Sequence, residues 1–300
     1  MRAERTDNSR KNGRGTVGGA RRSSGLSAGS VLGLVFVLIL ALEVLLSCGK
    51  DEGGPSADIG QVPAQREARQ DYPLQVHFLD VGHGDSALVQ CEGHNMLIDG
   101  GLRRCGHQLL HYLRRAGADH LDAVVCSHEH KDHVGGLITV VHSLTYDHVY
   151  APDDCYEGNK DFNRFVGMVR SHGREVTVLQ AGERFSLGGA EVSVLGPVLD
   201  YGGSERREDN HSLVLRLAYG DQSFLFTGDM YAQAELDLLD SEAEVESKVL
   251  KAAHHGSSSS SGESFLQAVN PQYAVISTAG TERNHPHSEV LARLERLQIK

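Results

Sequence analysis

His128-Glu129-His130-Lys131-Asp132-His133 packs four potential metal ligands, three imidazoles and a carboxylate, into six residues. The preceding run, Leu121-Asp122-Ala123-Val124-Val125-Cys126, reads as a buried strand, and Val134-Gly135-Gly136 permits a tight entry into a following helix. In extended chain His128 and His130 point the same way, as two ligands to one ion require. Asp132 and His133 lie past the turn, where they can face a second ion. Imidazole with carboxylate suits zinc, and manganese or iron also match this donor set. The chain has 17 histidines, so a chance cluster on a polar loop is the competing reading. The flanking strand and the glycine pair favour a metal loop.

Around this block the chain alternates short β-branched runs with turn residues and helical periodicity. Strands are predicted at 74–81, 86–91, 95–99, 121–127, 148–151, 175–179, 184–187, 190–195, 212–219, 223–227, 247–253 and 273–277. Helices are predicted at 108–116, 136–144, 163–172, 231–240, 263–270 and 288–297. An opening meander followed by strands alternating with helices predicts an α/β fold, with two packed sheets and helices on their outer faces. The chain stops at Leu297-Gln298-Ile299-Lys300, just after its last helix, where one more strand is expected.

The 300 residues are 40% hydrophobic and 23% charged, the balance of a globular fold. The N-terminus departs from it. Arg2, Arg5, Arg10, Lys11, Arg14, Arg21 and Arg22 precede an apolar run from Val31 to Leu46, the pattern of a secretory signal. The run ends in Leu45-Leu46-Ser47-Cys48, which resembles a bacterial lipobox; an uncleaved apolar anchor is the alternative. We therefore expect a signal over 1–47, a flexible tether over 48–71 and one folded domain over 72–300, held outside the cytoplasm. Membrane contact is expected through the anchor only.

The formal charge is −11, and losing 1–47 would remove mostly basic residues. Such a surface repels polyanions, so tight nucleic-acid binding is not expected. Cys91, Cys105, Cys126 and Cys155 follow Cys48; in an oxidising compartment they allow a disulfide, with no pairing favoured.

His-x-His-x-Asp-His after a strand resembles the signature of the metallo-β-lactamase superfamily. Leu97-Ile98-Asp99-Gly100-Gly101 and Phe226-Thr227-Gly228-Asp229 resemble two further motifs, in the right order. Leu79-Asp80-Val81-Gly82-His83-Gly84-Asp85-Ser86 resembles the Asp-Val-Gly-Gln-Gly-Asp opening of the branch typified by the C-terminal domain of the competence protein ComEC. Asp209-Asn210-His211-Ser212, Lys251-Ala252-Ala253-His254-His255-Gly256-Ser257 and Asn284-His285-Pro286-His287 resemble that branch's later motifs. The resemblance covers about residues 73–297 and implies a four-layered αβ/βα sandwich.

It also implies roles. His128, His130, Asp132, His133, Asp229 and His254 become metal ligands, with Asp229 bridging two ions and screening their repulsion. Asp229 as a helix cap is the plainer reading of the same residue. Asn210 or His211 stands where the first ion's third ligand is expected. Asp99 supports the metal loop, and Asp85, with Asp80, orients metal histidines. Asp132 fixes a metal, and His255, His287 or Lys251 serves the leaving group, with His285 beside it. The implied cofactor is a pair of zinc ions, or manganese. The implied reaction is hydrolysis of a phosphodiester, either a DNA fragment or a cell-envelope phosphoester. A carboxyl-directed hydrolase of the β-lactamase or thioesterase kind, and a non-enzymatic binding module of the same fold, are the alternatives.

Overall fold

The computed structural model describes residues 72–153, 159–201, 207–279 and 284–300. The expected signal and tether, with Cys48 and Cys155, lie outside the described residues. The elements run β1 (Leu74–Phe78), β2 (Ala87–Cys91), β3 (His94–Ile98), α1 (Gly106–Arg115), β4 (His120–Val125), α2 (Lys131–Val134), α3 (Leu137–Ser143), β5 (Thr145–Ala151), α4 (Lys160–Ser171) and β6 (Val176–Val178). They continue with β7 (Arg184–Leu187), β8 (Ala190–Gly196), α5 (Arg207–Asn210), β9 (Val214–Tyr219), β10 (Gln222–Phe226), α6 (Ala232–Asp240), β11 (Val249–Lys251), α7 (Glu263–Val269), β12 (Tyr273–Val275) and α8 (Ser288–Arg296).

Two six-stranded sheets result, ordered β1-β2-β3-β4-β5-β6 and β12-β11-β10-β9-β8-β7. Each begins as an antiparallel meander and turns parallel, from β3 to β6 in the first and from β10 to β12 in the second. Strand alternation builds the layers. On β3 and β4, Met96, Ile98, Ala123 and Val125 face inward and meet Val192, Leu215, Phe224 and Phe226 of the other sheet. The alternate residues Leu97 and Val124 face outward, against Leu113 of α1, Val140 of α3 and Phe165 of α4. Leu225 and Leu250 do the same on the second sheet, against Leu238 of α6, Phe265 of α7 and Val290 of α8. Helix, sheet, sheet, helix: this is the four-layered sandwich expected.

Crossovers return each parallel strand in the same direction, so the carboxyl ends of β3, β4, β10, β11 and β12 open on one edge. That crevice is where α/β sheets place ligands. The loops there are locked to each other through backbone. Gly100 N–H donates to His133 O at 2.7 Å, and Gly136 N–H to Gly101 O at 2.9 Å. A Cβ on Gly136 would fall 1.9 Å from Gly100 O, so this approach requires glycine.

Of the cysteines that would allow a disulfide, Cys91, Cys105 and Cys126 are free thiols. Cys91 and Cys126 are buried core residues. The last residues run beside β12, with Ala274 N–H donating to Lys300 O and Lys300 N–H to Gln272 O. No helix among the described residues is long and apolar enough to cross a membrane.

Candidate metal centre

β4 delivers Ser127 and His128 to the crevice, β10 delivers Asp229, and β11 delivers His254 and His255. Two donor groups meet there. His128, His130, Asp209 and Asp229 offer one atom each, all within 4.8 Å of one another; His133, Asp229, His255 and Asp85 form a second such set. Asp229 belongs to both. Asp132 joins the second through His255, whose Nε2 lies 3.6 Å from Asp132 Oδ2 and 3.3 Å from Asp229 Oδ2. His133 Nε2 lies 3.3 Å from Asp229 Oδ1, and His130 Nδ1 lies 3.3 Å from Asp209 Oδ1. Ligands on a tetrahedral zinc ion with bonds of about 2.0–2.1 Å stand roughly 3.3–3.4 Å apart.

Supporting side chains fix which ring nitrogen faces the centre. Asp99 accepts from Ser127 N–H and Ser127 Oγ, both at 2.7 Å, and its Oδ2 lies 2.9 Å from His133 Nδ1. His255 Nδ1 is held by Ser277 O at 3.0 Å and by Asp85 Oδ1 at 3.3 Å. Asp85 is itself anchored by Lys251 Nζ at 2.7 Å. With Nδ1 occupied in each ring, Nε2 is left for the centre.

The residues fit a metal ion. His128 Nε2, His133 Nε2, His255 Nε2 and Asp229 Oδ1 are all buried with no hydrogen-bond partner. A ring lone pair facing a carboxylate oxygen at 3.3 Å is repulsive unless a cation lies between them. The titration of the rings agrees. Burial opposes charge on His255, yet Asp229, Asp132 and Asp85 outweigh it and push its pKa up to about 12. His133 is likewise raised well above the usual range, burial being overcome by Asp229 and Asp99. The pocket thus holds carboxylate charge that calls for cations. His128 differs: burial, with His133 beside it, keeps it neutral and ready to donate a lone pair.

The backbone turns sharply to make this cluster. Asp99, His254 and His255 all have positive φ, at 58°, 49° and 54°. Non-glycine residues adopt this region at a cost of order 1 kcal/mol or more each, and such strain concentrates at functional sites.

The turn reverses the expected order of the histidine pair. His255, expected beside the ions, aims Nε2 into the second group; His254, expected as its ligand, stands at the rim with Nε2 4.0 Å from Asp229. Asn210 also lies elsewhere than expected, accepting from Tyr231 N–H at 2.9 Å at the start of α6. His211 is half-buried and in neither group; Asp209, a residue the sequence reading passed over, faces His130 instead. Lys251 is 4% exposed and donates to Asp85 and to Ala252 O, so it supports Asp85 from within. His285 and His287 do reach the rim. His285 packs 5.7 Å from His254 and 4.7 Å from His287, ring centre to ring centre. Burial, then the imidazoles of His254 and His287, depress His285 to a pKa of about 4.

Comparison with known proteins agrees with this geometry. A family profile described as "Metallo-beta-lactamase superfamily" matches residues 79–280. The chain is 28% identical over 245 residues to "ComE operon protein 3" of Bacillus subtilis (strain 168), covering 75% of this chain and 31% of that protein. It is 31% identical over 248 residues to "Competence protein ComA" of Neisseria gonorrhoeae, covering 80% of this chain and 32% of that protein. The chain thus spans about a third of the length of these curated relatives. Among solved structures, one described as a metal-dependent hydrolase of the beta-lactamase superfamily aligns with a TM-score of 0.51 at 16% identity, over 75% of this chain and 93% of that one. That likeness concerns the fold.

Proposed function

This chain belongs to the metallo-beta-lactamase superfamily of metal-dependent hydrolases, and we propose that it is a two-ion phosphodiesterase of the ComEC-like branch, tethered outside the cytoplasm. The observation that carries the reading is the pair of donor groups sharing Asp229, in which Nε2 of His128, His133 and His255 is buried with no hydrogen-bond partner. His128, His130 and Asp209 would hold the first ion, Asp132, His133 and His255 the second, with Asp229 between. Held there, a pair of divalent ions would supply Lewis acidity that activates water and offsets charge developing on the attacked centre. Zinc suits the donors best, and manganese is the second choice.

The protein's own part is orientation and proton supply. Asp99 and Asp85 keep the rings of His133 and His255 turned so that Nε2 faces inward. His287 Nδ1 accepts from Ser258 N–H at 2.8 Å, which leaves the His287 proton on Nε2. That N–H is the group we assign to the leaving oxygen. His254 and His285 line the rim with imidazole that burial keeps neutral, a wall suited to a singly charged phosphodiester.

The branch supports the substrate class: one relative above is named a competence protein, and a third, 29% identical over 228 residues, is "Recombination protein 2" of Haemophilus influenzae. The basic and apolar segments before residue 47 support the tethered location. Metal-loaded full chain offered bis-p-nitrophenyl phosphate, single-stranded DNA and a cephalosporin should cleave a phosphodiester. Turnover of the cephalosporin alone would reject the proposal.

A further inference from the structure

The loop between β1 and β2 carries a histidine that belongs to neither donor group described above. His83 is 4% exposed, and its Nε2 lies 3.5 Å from Asp132 Oδ2. His83, Asp132 and His255 each offer one donor atom, all within 4.8 Å of one another. The His83 and His255 rings are 4.5 Å apart, centre to centre. Backbone contacts fix the loop in this position. Asp85 N–H donates to Asp132 O at 3.2 Å, and Gly101 N–H to Asp85 O at 2.8 Å. Gly84, between them, has φ +131°, and a Cβ there would fall 2.2 Å from Asp132 O. The loop is therefore pressed onto the metal loop at Asp132, with His83 set against the second donor group.

We infer that His83 is a fifth ligand of the second ion, beside Asp132, His133, Asp229 and His255; this rests on the two-ion reading of the centre. Distances decide between coordination and a simple ion pair. A charge-assisted hydrogen bond between a protonated imidazole and Asp132 would close to about 2.7–2.9 Å. The observed 3.5 Å instead matches the 3.3 and 3.6 Å that separate His255 Nε2 from Asp229 and Asp132. Two donors sharing one five-coordinate zinc-like ion stand roughly 3.0–3.6 Å apart, a range that includes all three distances. The two ions are then unequal. Three imidazoles hold the second, two hold the first, and the second is bound more tightly and leaves last under a chelator. The surplus of imidazole also favours zinc or cobalt over magnesium or calcium.

The test is a titration of the metal-free full chain with cobalt as the only metal, against a competing chelator, followed by visible absorption. The wild type should take up two equivalents, the tighter with the spectrum of a five-donor site. His83→Ala should weaken that tighter equivalent by more than about 100-fold, beyond the roughly 10–100-fold that loss of an outer partner costs. Its spectrum should change shape, and added imidazole should restore both shape and affinity while leaving the wild type unaltered. Thermal unfolding of the metal-free proteins checks that His83→Ala is folded; if it is not, His83→Asn carries the same titration. Two equivalents bound with wild-type affinity and spectrum by the folded variant would overturn the role of His83 and leave the two-ion centre standing. A wild type that takes up no cobalt would overturn the centre itself.

Discussion

At the scale of single residues, the centre depends on carboxylates that never touch the reaction. Asp99 holds Ser127 and the Nδ1 of His133 at once, so Asp99→Asn should free that ring to turn its Nε2 away. The expected cost is about 10–100-fold in zinc affinity, read by chelator competition, with the fold intact by circular dichroism. Unchanged affinity would mean that Asp99 is a strand-end turn residue and no more. The metal loop, Asp99 and Asp229 were all legible in the sequence, because each is a short motif at the end of an apolar run. The placement of four residues was not. His254 and His255 are adjacent, and only the two positive φ angles decide which ring faces inward. Asp209 begins the Asp209-Asn210-His211 run, and only the fold shows that the carboxylate, rather than the amide or the imidazole, faces His130. His83 sits between two glycines, a setting that reads as a turn; the signal available was a histidine where the branch's opening carries glutamine.

At the scale of elements, all twelve predicted strands and six predicted helices exist, and the differences lie at their ends. The first strand was expected to reach residue 81 but stops at Phe78, where Gly82 N–H donates to Asp80 Oδ1 and turns the chain toward the site. The strand expected over 247–253 shortens to Val249–Lys251 because the chain must leave the sheet to present the histidine pair. The helices α2 and α5 have four residues each, too few for periodicity to reveal. One helix junction gives a pH-dependent prediction. Glu235 of α6 accepts from the backbone N–H of Ser261 and Gly262 at the start of α7. Burial, outweighing those two donors and Arg293, raises its carboxyl from 4.5 to about 7. The folded chain therefore holds this proton more tightly than the unfolded chain does. The stabilisation is fully present below about pH 4.5 and is lost as pH rises through about 7, up to about 3 kcal/mol in all. Urea midpoints of the wild type should fall between pH 5 and pH 8 more steeply than those of Glu235→Gln. Parallel curves would show that Glu235 is ionised throughout.

At the scale of the whole molecule, two sheets that each change from antiparallel to parallel bring the carboxyl ends of their parallel strands to one edge. Donors from five loops, spread from His83 to His255, converge there only because the sandwich closes. The centre is thus a product of the complete fold, and metal binding and folding are linked. The formal charge of −11 disfavours polyanions on the general surface, while the two proposed ions would concentrate positive charge at one edge. A substrate with one phosphodiester reaching into the crevice meets both conditions better than a long duplex lying across the surface. The proposed activity rests on two ions held by the donors that Asp229 joins. Metal analysis of the folded full chain after zinc loading and removal of excess should return two zinc ions per chain, falling to one or none in Asp229→Asn. A folded wild-type chain that retains no metal would contradict it.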